Sequence, residues 1–214
     1  MSSHTNGMSS ERAGAPGAAA TIGEAIKAYA DKQPDHIAFV SNGFDPFSYR
    51  ELQRMILEVR SALRAAGLGR SARIAIALPD GPYSAATIVA VTCSAVSIPL
   101  NPRQTFREID AAFTALPPDA VVLAKGTDSV VRRVAVRQRI QILEAVQAPD
   151  RAFGIIIDSA TSAMPVVPSE QGELHTEAVA FILQTSGTTA KPKLIPPPTK
   201  TCWLPRRGCR VGSI

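Results

Sequence analysis

The chain has 214 residues, 45% of them hydrophobic, with 23 Lys and Arg against 18 Asp and Glu and a formal net charge of +5. That length is ample for a sizeable core, and the basic excess belongs to the end: from Lys191 onward there are three Lys, three Arg and no acid, which leaves the body nearly neutral. One tail aromatic, Trp203, and no nucleic-acid motif make a poor polyanion surface and argue against nucleic acid as a partner.

Residues 1–20 are rich in Ser, Gly and Ala, show no apolar period, and are expected to be disordered. Thr21 and Glu24 have capping-box spacing, and Ile22, Ile26 and Tyr29 then share one helical face, with Pro34 helping to end the helix. His36 to Ser41 reads as a strand and Asn42 to Pro46 as a turn. Ser48 and Glu51 form a second capping box, followed by Leu52, Met55, Ile56, Val59 and Leu63 at helical spacing. Gly67 is placed to stop that helix in a left-handed cap.

Arg73 to Leu78 predicts a buried strand that breaks at Pro79-Asp80-Gly81. The nearly uncharged stretch from Tyr83 to Ala95 predicts a helix covered on most of its surface, and Val96 to Leu100 the next strand, closed by Asn101-Pro102. Thr105 and Glu108 make a third capping box for a helix reaching about Ala115. A strand over Ala120 to Ala124, a basic helix from about Ser129 to Gln138, and strands over Ile140 to Leu143 and Phe153 to Ile157 follow. Asp158 to Glu177 is an irregular connector, and Ala178 to Gln184 a last strand. Strands alternating with helices imply an α/β fold, a mostly parallel sheet flanked by helices. Ligands of such sheets lie beyond the carboxyl ends of the strands.

The most informative stretch is the one after that last strand, Gln-Thr-Ser-Gly-Thr-Thr-Ala-Lys-Pro-Lys at 184–193. Four hydroxyls around one glycine, backed by two lysines, are compatible with an ordinary solvated turn and with a cradle for polyphosphate oxygens, in which backbone N–H groups and hydroxyls donate. A Walker A loop is a poor match, because the lysines flank Pro192 and no second glycine is present.

Thr185 to Lys193 resembles the phosphate loop of the adenylate-forming enzymes, Thr-Ser-Gly-Thr-Thr-Gly-x-Pro-Lys. That superfamily holds the acyl- and aryl-CoA synthetases, the luciferases and the adenylation domains of peptide synthetases. Ala190 stands where the family has glycine, and an alanine forced to positive φ costs on the order of 1 kcal/mol. Phe47-Ser48-Tyr49-Arg50-Glu51-Leu52 and Ala95 to Pro102 are similar to two further family segments, in the family's order. The resemblance covers about Thr21 to Ile195 and implies an incomplete AMP-binding N-terminal domain, a truncated N-terminal lobe. It implies contacts from Thr185, Ser186, Gly187, Thr188, Thr189 and Lys193 to the phosphates of ATP, with Mg and coenzyme A as the other reactants' companions and a carboxylic acid as substrate. Lys193 would offset charge on departing pyrophosphate. No catalytic residue and no metal ligand is assigned, and little or no ligase activity is expected of the chain alone. The alternative is a non-catalytic nucleotide-binding or interaction module, associating through an uncovered sheet edge.

Beyond Ile195 the family pattern gives way to Pro196-Pro197-Pro198 and a basic, irregular tail, 196–214. A shift of reading frame near Pro198 would explain it. Cys93 lies in an apolar segment, and Cys202 and Cys209 match no zinc or redox spacing. The N-terminus lacks a signal-peptide pattern, and Ala85 to Leu100 is too short and interrupted for a membrane span. A cytoplasmic setting is the expectation.

Overall fold

The structure, a computed structural model, describes residues 21–101, 103–147, 155–158, 182–185 and 193–195. The expected disordered segment, the Asp158 to Glu177 connector (but for Asp158 itself) and the 196–214 tail lie outside the described residues.

Helix α1 (Ile22–Lys32) and helix α2 (Tyr49–Ala65) both begin in complete capping boxes, Thr21 with Glu24 and Ser48 with Glu51. In each, the hydroxyl accepts from the backbone N–H of the glutamate and the glutamate accepts from that of the cap, so two orphan donors are satisfied. Between the helices, β1 (Ile37–Phe39) and β2 (Phe47–Ser48) form a short antiparallel ribbon of their own. The strand expected from His36 to Ser41 is therefore shorter and stands outside the main sheet. Helix α2 buries Leu52, Met55, Ile56, Val59 and Leu63. It ends with the Leu68 N–H donating to the Leu63 carbonyl (2.9 Å) and the Gly67 N–H to that of Arg64 (2.9 Å). Gly67 has φ 77°, which makes this a Schellman stop.

The main sheet holds β3 (Arg73–Ala77), β4 (Val96–Pro99), β5 (Ala120–Ala124), β6 (Gln141–Gln147) and β7 (Ile155–Asp158) in the order β4-β3-β5-β6-β7. The first four run parallel, and β7 pairs antiparallel with β6 at the edge. Helix α3 (Pro82–Thr92) joins β3 to β4, α4 (Phe106–Ala115) joins β4 to β5, and α5 (Val130–Arg137) joins β5 to β6. The chain thus leaves β3 toward one edge and later crosses back to its other side. Right-handed crossovers in opposite directions place their helices on opposite faces.

The burial pattern agrees. Ile74 and Ile76 of β3 and Ala120 and Val122 of β5 join the core beneath α1, α2 and α3. Ala75, Ala77, Val121 and Leu123 point the other way, into the core with Ile109 and Phe113 of α4 and Val131, Val134 and Ala135 of α5. Burying an isoleucine as fully as Ile74 or Ile76 contributes about 1.5–3 kcal/mol. The alanines opposite leave room for the Phe113 ring. A dry cavity of about 10 Å³ remains between Ala75, Ile98, Phe113 and Leu116, no larger than one water and without polar lining.

The last strand expected from Ala178 to Gln184 is not a member of the parallel sheet. Residues Leu183–Thr185 form β8, which pairs antiparallel with β9 (Lys193–Ile195). The hairpin meets the main sheet where the Ile182 N–H donates to the Ser97 carbonyl of edge strand β4 (2.8 Å).

Gly67→Ala places a Cβ at positive φ and is expected to destabilise the domain by about 1 kcal/mol. Urea unfolding should show a lower midpoint with unchanged slope, and an unchanged midpoint would refute the cap's contribution.

Candidate functional site

Of the six residues of the resembled phosphate loop, Thr185 closes β8 and Lys193 opens β9, and their Cα positions are register partners. Gln184 pairs with Leu194 and Leu183 with Ile195 behind them. The backbone therefore brings the first and last residues of the motif together. Ser186, Gly187, Thr188 and Thr189 lie outside the described residues, as does Ala190.

What holds the hairpin in place is legible from its base. Ile182 is 8% exposed and packs in the core that contains Ile98, Leu100 and Phe113. Its N–H satisfies a carbonyl of β4 that no neighbouring strand covers. An antiparallel hairpin on the β4 edge, rather than the carboxyl end of a parallel strand, positions Thr185. The parallel-sheet reasoning applied to it from sequence does not describe its placement.

The carboxyl ends of the parallel strands carry their own loops. After β3, Pro79 and Asp80 are exposed and Gly81, with φ 146°, precedes Pro82 at the start of α3. After β4, Asn101 turns the chain by accepting the Arg103 N–H on its side-chain oxygen (2.9 Å). After β5, the chain from Lys125 to Ser129 is braced by Glu144 of β6. Its Oε1 accepts from Arg132 Nη2 (2.6 Å) and from the Gly126 N–H (3.4 Å), while Arg132 Nε donates to the Thr127 carbonyl (2.7 Å). The Glu144 side chain is only 10% exposed. Its hydrogen bond from Arg132, assisted by the Gly126 N–H, holds its carboxyl below the usual glutamate range.

Sequence reasoning passed over this brace. The available signal was a charged residue in the middle of an apolar strand, Leu143-Glu144-Ala145, which asks for a cationic partner once buried.

Cys93 is 6% exposed, and burial pushes its thiol up to about 12 despite nearby Arg60 and Arg70. It is a neutral packed thiol and no nucleophile. Among the described residues no group of three or more His, Cys, Asp and Glu could hold a metal ion, and no helix is long and apolar enough to cross a membrane.

A family profile described as "AMP-binding enzyme" matches residues 26–201. The chain is 28% identical over 163 residues to 3-hydroxybenzoate–CoA ligase of Aromatoleum sp., a match covering 73% of this chain and 30% of that protein. Among solved structures, the apo form of MbtA from Mycobacterium smegmatis superposes with a TM-score of 0.63 at 22% identity, covering 84% of this chain and 34% of that one. The o-succinylbenzoate CoA synthetase of Bacillus subtilis, in complex with an acyl-adenylate, gives 0.58 at 17% identity, with coverage of 81% and 41%. The chain spans about a third or less of the length of the curated relatives it matches.

Because the folded Glu144 carboxyl titrates below its ordinary value of about 4.3, its stabilisation is present above that pH and is lost as pH falls through the folded value. Glu144→Gln should lower the thermal midpoint at pH 7, and the gap from the unsubstituted chain should close toward pH 3. A gap that stays constant across that range would exclude the ionised brace.

Proposed function

Since the chain belongs to the AMP-binding enzyme family, we propose that residues 185–193 are the ATP-phosphate loop of an acyl-CoA synthetase-like ligase. The parent reaction is ATP-dependent adenylation of a carboxylate followed by transfer to coenzyme A. The observation that supports this is the register pair Thr185 with Lys193. It draws together a hydroxyl-bearing residue and a cation at the two ends of a Ser-Gly-Thr-Thr run, the donor set that a triphosphate requires.

ATP, with Mg, supplies the AMP group and the pyrophosphate that leaves. The chain's own part is to bind and neutralise. Thr185, Ser186, Thr188 and Thr189 donate from hydroxyls, Gly187 lets the backbone approach closely, and Lys193 offsets the charge on the phosphates. Ala190, where the family motif has glycine, weakens the grip if its backbone is held at positive φ.

Coenzyme A as acceptor is favoured by the relative named 3-hydroxybenzoate–CoA ligase, and by analogy with that name the substrate is a small organic acid. On their own, the 214 residues bind the triphosphate without turnover. A phosphate loop supplies binding, whereas adenylation requires the carboxylate to be held in line with the α-phosphate.

Isothermal titration should show saturable ATP binding that Lys193→Ala weakens at least tenfold, equivalent to about 1.4 kcal/mol. Ala190→Gly should tighten it. Undiminished binding by the Lys193 variant would remove the loop from the site, and carboxylate-dependent pyrophosphate exchange by the chain alone would refute the absence of turnover.

A further inference from the structure

Away from the hairpin, at the carboxyl ends of α2 and α3, three arginines gather without an acid. Arg60 donates from Nη2 to the carbonyl of Cys93, the cap residue of α3 (3.0 Å). Its Nε is buried with no hydrogen-bond partner, and so is the Nε of Arg70, on the turn that follows α2. Arg64 stands one helical turn beyond Arg60, exposed. The hydroxyl of Ser94, next to the Cys93 carbonyl, is likewise buried and unpartnered, with the residue 4% exposed. None of the three arginines forms an ion pair among the described residues; the pairs present use Arg50, Arg54, Arg73, Arg132, Arg133 and Arg137.

Ordinary packing does not account for the arrangement. The negative end of α3 offsets part of the Arg60 charge, but Arg70 has no counterpart. The two cations are close enough that Arg70, after burial, is the next cause depressing Arg60, and both act on the Cys93 thiol. Guanidinium groups brought together, half-buried and with interior N–H donors free, match the fork geometry by which arginine holds oxyanions.

We propose that Arg60 and Arg70, with the Ser94 hydroxyl, form a site for a phosphoryl or similar tetrahedral oxyanion, separate from the loop at 185–193. The anion accepts from the two buried Nε–H groups and neutralises the pair. The group is either free phosphate or the phosphate of a nucleotide.

The test is thermal unfolding of the 214-residue chain titrated with inorganic phosphate, and in parallel with AMP, at constant ionic strength set with chloride. The expected result is a saturable rise in midpoint of a few degrees. Arg70→Gln abolishes it, while Arg107→Gln, on an exposed position of α4, and Lys193→Ala leave it intact. Arg70 is the informative position because Arg60→Gln also frees the Cys93 carbonyl and risks unfolding. An Arg70-dependent response to phosphate identifies a free oxyanion, and one to AMP alone identifies a nucleotide phosphate. A response equal in chloride, retained in Arg70→Gln or lost in Lys193→Ala overturns the site, as does no response to either ligand.

Discussion

Strand β3 lies between β4 and β5 and is buried on both faces, and this double burial constrains the rest. Its alternation of Ile74 and Ile76 with Ala75 and Ala77 demands a helical layer on each side, because neither face can be left to water. The crossovers supply those layers by leaving β3 in one direction and returning past it. Large side chains on one face and small ones on the other set how closely each layer approaches. The helices α1, α2 and α3 meet the isoleucines, and Phe113 of α4 fills the space above the alanines.

Local features were the ones legible in the sequence. Three capping boxes, at Thr21, Ser48 and Thr105, formed as their spacing required, and Gly67 stopped α2 where a left-handed residue was needed. These depend on contacts three to five residues apart, which order in the chain fully encodes. Strand positions were legible for the same reason, since an apolar run bounded by Pro or Gly has few alternatives. The partner of each strand was not. That β7 runs antiparallel to β6, and that Leu183–Thr185 pairs with Lys193–Ile195 instead of joining the parallel ladder, follows from pairings between segments whose residues carry no mark of direction. Strand β6 also extends to Gln147, beyond Leu143, because Arg132 neutralises Glu144 from a neighbouring helix and lets a charged residue continue the strand.

The candidate site shows the same division. The motif from Thr185 to Lys193 is a property of adjacent residues and was recognisable as such, whereas its attachment rests on one hydrogen bond and one buried side chain at Ile182. An edge strand with uncovered carbonyls invites pairing, and the Ile182 N–H uses that opening at Ser97. The hairpin's position therefore depends on β4 remaining an edge. The polar brace after β5 does comparable service for the other loops, tying Gly126 and Thr127 to β6 through the Glu144 carboxylate and the Arg132 guanidinium.

The placement of β5 beside β3 has a temporal side. The Arg73 N–H finds its acceptor in the Asp119 side chain, 46 residues later, and Ile74 pairs with Ala120 only after the whole of α3, β4 and α4 has been made. During synthesis, β3 and β4 emerge as a two-stranded parallel pair with one flank bare, and long-range parallel pairing is slow to form. The nascent chain must shelter that flank until β5 leaves the ribosome, so the interval between residues 77 and 120 is when it is most exposed to chaperones and to its own neighbours on a polysome.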